Sequence, residues 1–308
     1  MYSPIKTHTL WLTRQVPYRP IPLLFLLVSF VVLFSCASST ESVPTEEKEP
    51  ARLAMAVTDV SIGKNRMAFG IIRPKYGPVS GGTVTLTTYY LDGDSGHIPQ
   101  ETLEATFRQW PVNQSGVYTT EADFPYSGKW GLVAKVQEGS QSYSASGYIE
   151  VKNKFSAPKV GDHSPMSQTK TISNKNDIES ITSDPNPYLP IYDLTVAEAV
   201  SSGMPSVIVF ATPAFCKTST CGPQVDAIKS LHQNMSTYIN FIHVEIFDNP
   251  SEIKGDMDRA MVSPEVRKWN LPSEPWTFVI NREGIITNRF EGFTTEEELK
   301  ESLEIYLD

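Results

Sequence analysis

The chain has few of the residues that bind metals and no basic patch that would bind nucleic acid. Its 308 residues include three cysteines and five histidines, and the formal net charge is −9. Phosphate backbones repel an acidic chain without clustered arginine or lysine, so nucleic acid is set aside as a partner. Residues 54–152 contain one histidine, His97, and no cysteine. Soft metals need several converging ligands, so no copper site is expected there, and the preferred interpretation of the chain involves no metal or cofactor.

One long apolar run is present near the N-terminus. It extends from Ile21 to Phe34 and follows a basic region that ends at Arg19. The run is too short to span a bilayer comfortably, and a basic region followed by such a run is typical of a signal peptide. The sequence therefore predicts a signal peptide over residues 1–35.

The apolar run ends at Leu33-Phe34-Ser35-Cys36, which resembles a bacterial lipobox. The resemblance implies that Cys36 carries a lipid and becomes the new N-terminus. The alternative is an uncleaved N-terminal anchor in which Cys36 has no role. Both interpretations predict an exported, membrane-tethered protein of the bacterial cell envelope, on the outer side of the cytoplasmic membrane or in the periplasm. Polar residues 36–53 are predicted to form a flexible tether.

The next hundred residues have the pattern of an all-β domain. Residues 54–152 alternate in hydrophobicity with a period near two, and frequent turn signals divide them into seven predicted strands. This pattern predicts an Ig-like β-sandwich. Residues 116–136 resemble the late hairpin of small exported sandwiches of the FixH/YtkA type. Residues 153–187 are rich in Ser, Pro, Asn and Asp, and we expect a linker or an extended arm lying over the next domain.

The last part of the chain alternates between strand and helix patterns. The alternation predicts an α/β domain over residues 188–308. Cys216 and Cys221 lie in it between a buried strand and an amphipathic helix. Backbone N–H groups and the positive end of a helix favour an ionised sulfur at such a place, and two thiols five positions apart can form a disulfide with each other.

Three motifs in this domain resemble the thioredoxin fold, and in particular the tethered TlpA/ResA-type reductases. They are FxxPxFC at Phe210–Cys216, the start of a CGPC box at Cys221-Gly222-Pro223, and Pro275 at the position of the family's cis-proline. The predicted fold class is multidomain: an N-terminal all-β Ig-like sandwich followed by an α/β thioredoxin-like domain. The resemblance implies that Cys216 and Cys221 form a redox-active, catalytic disulfide, which acts on the thiols or disulfides of exported proteins. It also implies a substrate groove, formed by Pro213, Phe215 and Pro275.

The motifs leave the identity of the nucleophile open, because the spacing is C-x4-C and the family standard is C-x2-C. If FxxPxFC sets the alignment with the family, Cys216 is the nucleophile and Cys221 is the cysteine that resolves the mixed disulfide. If CGP sets it, Cys221 is the nucleophile and Gln224 replaces the second cysteine. The helix dipole slightly favours Cys221. Phe210 occupies the position of the buried acid that thioredoxin carries.

Two other functions are compatible with the cysteine pair. A Sco-like copper chaperone shares the fold, but its copper site needs a histidine late in the domain, and the last histidine here is His243. The other alternative is a non-catalytic envelope binding protein in which the two cysteines form a structural disulfide.

Overall fold

The computed structural model describes residues 50–93, 98–111, 115–172 and 177–307, which belong to one compact unit. The predicted signal peptide, residues 36–49 of the predicted tether with Cys36, and His97 lie outside the described residues. None of the described helices is long and apolar enough to cross a bilayer.

Eight strands form the first sheet, in the order β1-β8-β7-β4-β5-β6-β2-β3. β1 also pairs with β2, so seven strands close into a barrel and the short β3 extends from β2. The strands are β1 Ala51–Met55, β2 Gly63–Arg73, β3 Gly77–Pro78, β4 Thr83–Tyr90, β5 Pro99–Gln109, β6 Gly116–Phe124, β7 Gly128–Glu138 and β8 Gln141–Val151.

The prediction of an Ig-like sandwich is wrong. A sandwich consists of two separate sheets, whereas here β1 pairs antiparallel with β2 and in parallel with β8, where Ala51 lies opposite Ala145. Gly147 allows this closure, because a Cβ there would lie 2.9 Å from the Cβ of Leu53. The closing strand begins at Ala51, inside the segment predicted as a tether. Alternation with period two shows that one face of a strand is buried, but a barrel and a sandwich share that alternation.

A second sheet follows in the chain, with the order β10-β9-β11-β12. β9 and β10 are parallel, and the other pairs are antiparallel. Its strands are β9 Ser206–Ala211, β10 Asn240–Glu245, β11 Trp276–Ile280 and β12 Ile286–Glu291. The helices are α1 Ile178–Ile181, α2 Val196–Ser201, α3 Cys221–Met235, α4 Pro250–Ile253, α5 Pro264–Lys268 and α6 Glu296–Leu303, with 3₁₀ turns at Leu189–Tyr192, Met257–Arg259 and Glu304–Tyr306.

The predicted fold class as a whole is therefore corrected. The described part of the chain is mostly strand, a closed barrel and a second sheet with few helices, instead of an Ig-like domain followed by an α/β thioredoxin-like domain. Among the described helices only α3, with 15 residues, is longer than eight residues. α4 and α5 begin at Pro250 and Pro264, and each ends within two residues of a left-handed residue, Lys254 for α4 and Asn270 for α5.

Every residue of β9 is buried. Val207, Val209 and Ala211 face a core shared with α3, whereas Ile208 and Phe210 face a second core that contains three tryptophan and phenylalanine rings, those of Trp269, Trp276 and Phe278. The strand therefore separates two apolar cores.

Residues 153–172 and 177–187 contact the second sheet and the elements around it. Gly161 donates its N–H to the carbonyl oxygen of Ile286 at 2.9 Å, and the N–H of Ile286 donates to the carbonyl oxygen of Asp162 at 2.9 Å. Ala197 of α2 donates to the carbonyl oxygen of Ser167 at 2.9 Å. Below, we call residues 153–172 and 177–187 the arm.

Asp59 joins the barrel to the second sheet. Its side chain is fully buried and accepts from Arg289 Nη2 of β12 at 2.6 Å and from the N–H groups of Ser156 and Ala157 at 2.8 and 3.1 Å. Lys152 Nζ lies 3.1 Å from the same carboxylate. Burial alone would raise the pKa of Asp59, but the backbone donors and the Arg289 guanidinium outweigh burial and hold the pKa below its usual value.

Asp59→Asn should lower the free energy of unfolding by about 3 kcal/mol at neutral pH, because it leaves Arg289 buried without its carboxylate partner. Since the folded-state pKa of Asp59 is depressed, the carboxylate stabilises the protein above about pH 4, and this contribution disappears as the pH falls through the folded pKa. Denaturant unfolding across the pH range measures both effects, and the two proteins should converge in stability in acid.

Lys64→Gln is the control for this measurement. Lys64 pairs with Glu121 at 3.4 Å, but both side chains are mostly exposed, so the loss should be about 1 kcal/mol or less. Equal losses from the two variants at neutral pH would contradict the assigned role of Asp59.

Candidate functional site

The two cysteines lie where the buried strand β9 leads into α3. β9 ends at Ala211, residues 212–220 form a loop, and α3 begins at Cys221. Pro223 is in the first turn of α3, where its missing N–H costs no helical hydrogen bond. The predicted arrangement of a strand, a cysteine-containing loop and a helix is therefore present, with the helix starting two residues before Pro223.

Cys216 and Cys221 form a disulfide. Their Cα atoms are 5.9 Å apart, a normal separation for such a bond. The two residues differ in exposure: Cys216 is partly exposed, whereas Cys221 is 0% exposed and packs in the core beside Val225 and Ile228. A molecule in solution can therefore reach Cys216, but it cannot reach Cys221.

The polar contacts of the pair also centre on Cys216. The N–H of Cys221, at the N-terminus of α3, donates to Cys216 Sγ at 3.3 Å. The hydroxyl of Thr218 lies 3.3 Å from the same sulfur and 2.7 Å from the hydroxyl of Thr220. A sulfur that accepts from a helix N-terminus is stabilised as a thiolate after reduction. The sequence argument from the helix dipole favours Cys221 as the nucleophile, but these contacts favour Cys216 as the nucleophile.

The structure places the predicted groove residues at the same end of the second sheet. Trp276 of β11 lies opposite Phe210 of β9, so Pro275 is next to Ala211, where the cysteine loop begins. Pro275 is buried, and the Glu274–Pro275 peptide bond is cis, as the resemblance implies. Pro213 and Phe215 are partly exposed on the loop. Their role in binding a substrate stays a prediction.

Phe215 also contacts the segment after β10. Its ring lies 6.0 Å from that of Phe247 in an edge-to-face arrangement. The backbone of Phe247 forms an isolated antiparallel β-bridge with Val262, which is 36% exposed. An apolar surface therefore adjoins Cys216.

Glu245 is a buried acid near the cysteine loop that the sequence argument missed. It ends β10, lies opposite Ala211, and is 5% exposed. Burial raises the pKa of its carboxyl, and hydrogen bonds from Thr212, Ser183 and Phe247 only partly oppose the increase. The available signal was a glutamate in the stretch Phe241–Phe247, which is apolar apart from His243 and Glu245. A strand that is buried on both faces has no solvent side to accommodate such a residue.

His243 is also buried on β10, and both of its ring nitrogens are occupied. Nδ1 lies 2.8 Å from the hydroxyl of Tyr192, and Nε2 lies 3.1 Å from the carbonyl oxygen of Ala211. Burial lowers its pKa to about 4, so the ring is neutral at physiological pH. With both nitrogens engaged, His243 does not supply the third ligand that a Sco-like copper site needs. Within the described ranges, no group of three or more His, Cys, Asp or Glu residues could hold a metal ion.

Comparison with known proteins gives only partial likenesses. No protein-family profile matches the chain, and no curated protein is significantly similar to it in sequence. StoA from Bacillus subtilis is 19% identical with a TM-score of 0.26, over 32% of this chain and 81% of its own. A thiol:disulfide interchange protein of the thioredoxin family from Chlorobium tepidum is 14% identical with a TM-score of 0.31, over 43% of this chain and 100% of its own. A thio-disulfide isomerase from Thermus thermophilus is 19% identical with a TM-score of 0.28, over 49% of this chain and 98% of its own. Each covers less than half of this chain, and likeness at these TM-scores establishes neither a fold nor a function for it.

Proposed function

We propose that the chain is a thiol–disulfide oxidoreductase whose reactive group is the C-x4-C pair Cys216 and Cys221. The unequal exposure of the two bonded cysteines is the observation that carries the proposal. A purely structural disulfide needs neither an exposed sulfur nor a hydrogen bond from a helix N-terminus to that sulfur. Cys216 has both, and these are the conditions under which a thiolate is reactive.

We infer a different step for each cysteine from their unequal exposure. In the reduced protein the Cys216 thiolate attacks one sulfur of a substrate disulfide, a mixed disulfide forms, and the other substrate sulfur leaves as a thiolate. Cys221 then attacks Cys216 Sγ, which restores the Cys216–Cys221 disulfide and releases the second substrate thiolate. Two electrons pass from the cysteine pair to the substrate. Because Cys221 is buried, Cys216 is the sulfur within its reach. The same steps in reverse oxidise a substrate dithiol.

Trapping the mixed disulfide tests the assignment of the two roles. With a small unfolded protein that contains one disulfide, Cys221→Ser should accumulate an adduct through Cys216, because no resolving thiol is left to release it. Cys216→Ser should form adduct at least about tenfold more slowly, because its remaining thiol is buried. Peptide mass spectrometry of the full-length protein identifies the adducted cysteine.

Two results would contradict this proposal. Faster adduct formation by Cys216→Ser would reverse the two roles. No adduct from either variant, together with a reduction potential of the wild-type pair below about −300 mV, would identify a structural disulfide in a non-catalytic binding protein.

We also propose that the protein is exported and tethered to the membrane by a lipid on Cys36. The support comes from the sequence: a basic region, the apolar run Ile21–Phe34 and a lipobox-like end at Cys36. The substrates would then be thiols or disulfides of other exported proteins.

The lipid anchor is testable by detergent phase partitioning of the protein expressed in a bacterium. The wild-type protein should enter the detergent phase with a mass that corresponds to cleavage before Cys36 and addition of lipid. Cys36→Ser should lose the lipid mass. If the wild-type protein keeps residues 1–35 and Cys36→Ser partitions equally well, the uncleaved anchor is correct instead.

A further inference from the structure

Hydrogen bonds fasten the first residues of the cysteine loop to a buried carboxylate. Glu245 Oε2 accepts from the N–H of Ser183 at 2.8 Å and from the hydroxyl of Ser183 at 2.7 Å. Glu245 Oε1 accepts from the N–H of Ile246 at 3.0 Å, and the hydroxyl of Thr212, the first residue of the loop, lies 3.5 Å from the hydroxyl of Ser183.

Ser183 is the link between this carboxylate and the loop. Its hydroxyl, which donates to Glu245, accepts from the N–H of Ala214 at 3.2 Å, two residues before Cys216. Ser183 belongs to the arm and lies two residues after the end of α1. Thr212 and Ala214 of the loop therefore both contact Ser183, and Ser183 is in turn fixed by Glu245. Ser183 and Glu245 lie in segments far from the loop in the sequence.

We propose that Ser183 and Glu245 are positioning residues for the Cys216–Cys221 pair. By fixing Thr212 and Ala214, they hold Cys216 Sγ at hydrogen-bonding distance from the N–H of Cys221. This inference rests on the proposed thiol–disulfide exchange, but it concerns the residues that keep the loop ready for the reaction.

The charge state of Glu245 controls how well it holds the loop. A carboxylate accepts every donor that Ser183 and the backbone present, whereas a protonated carboxyl must use one oxygen as a donor. Burial raises the pKa of Glu245, so this loss begins at a higher pH than for an exposed glutamate.

Several titratable groups, each with its own charge or partner, surround Glu245. His243, on the same strand, is neutral. Asp184 of the arm pairs with Lys229 of α3 at 2.7 Å. The remaining groups line a cavity next to Glu245: Lys170 and Asp248, which pair with each other at 3.0 Å, and Glu265 of α5. Glu245 is itself among the residues that line this cavity.

The test measures the reactivity of Cys216 in the reduced full-length protein. 2,2′-Dithiodipyridine reacts with thiols over a wide pH range, and peptide mass spectrometry separates modified Cys216 from the other cysteines. In a Cys221→Ser background, Ser183→Ala should move the midpoint of the pH–rate curve of Cys216 upwards, because the thiolate is less well held against the helix N-terminus. With Cys221 intact, the equilibrium constant for closing the Cys216–Cys221 disulfide against glutathione should fall about tenfold.

Matched variants separate positioning from general damage. Ser180→Ala removes a neighbouring hydroxyl that donates to the carbonyl oxygen of Asp177 and that has no hydrogen bond to the loop among the described residues. It should leave the pH–rate curve and the closure constant unchanged. Ser183→Thr keeps the hydroxyl and should restore both values. Glu245→Gln keeps the shape of the side chain without its charge, so it should remove the acid-side inflection that the wild-type closure constant shows as Glu245 titrates. If Ser183→Ala does not fold, the acid-side inflection of the closure constant in Glu245→Gln is the measurement that decides the proposal.

The proposal is overturned if Ser183→Ala matches Ser180→Ala, or if Glu245→Gln retains the acid-side inflection. These outcomes are separate from the fate of the proposed function. If the adduct test fails but Ser183→Ala still moves the Cys216 curve, positioning by Ser183 is supported and exchange activity is not. If Cys216 forms its adduct and the curve does not move, the exchange stands and the positioning role is wrong.

Discussion

The complete burial of β9 is the constraint on which the second half of the structure depends. A strand with no exposed residue must be covered on both faces, and here α3 covers one face while the rings of Trp269 and Phe278 cover the other. At Ala211 this buried strand gives way to the partly exposed loop that carries Cys216. Because β10 runs parallel to β9 and β11 runs antiparallel, the end of β10 and the start of β11 meet at the same place. The disulfide, Glu245 and Pro275 are neighbours for this topological reason.

Features fixed by local chemistry could be predicted from the sequence, and features fixed by distant contacts could not. The apolar run of β9 and the turn-like segment with two cysteines have a local signal, whereas the cis bond before Pro275 is expected only from the resemblance to the thioredoxin fold. The closure of the barrel has none, because it depends on Ala51 meeting Ala145 and on the absence of a side chain at Gly147. The role of Glu245 is equally hidden, since its principal donor, Ser183, is 62 residues away in the sequence.

The two cysteines show why position along a helix does not by itself decide reactivity. Cys221 occupies the first position of α3, where the helix dipole favours a thiolate, but its burial opposes ionisation and denies access. Cys216 lies outside the helix and still receives the N–H of Cys221. It accepts this hydrogen bond at the helix end while it is less buried than Cys221. The C-x4-C spacing matters for this reason: it places the first sulfur over the helix terminus, partly exposed to solvent.

One of the carboxylates that connect the barrel to the second sheet also contacts the segment before Pro275. Glu291 of β12 accepts from the N–H and hydroxyl of Thr58 in the barrel at 2.8 and 2.6 Å, and from the hydroxyl of Ser273 at 2.7 Å. Ser273 is two residues before Pro275. Four donors on one carboxylate, counting the N–H of Asp59 at 2.8 Å, form a rigid connection. A displacement of the barrel would therefore pull on the turn that places Pro275 beside the cysteine loop. Glu291 thus links the barrel to the segment that precedes Pro275.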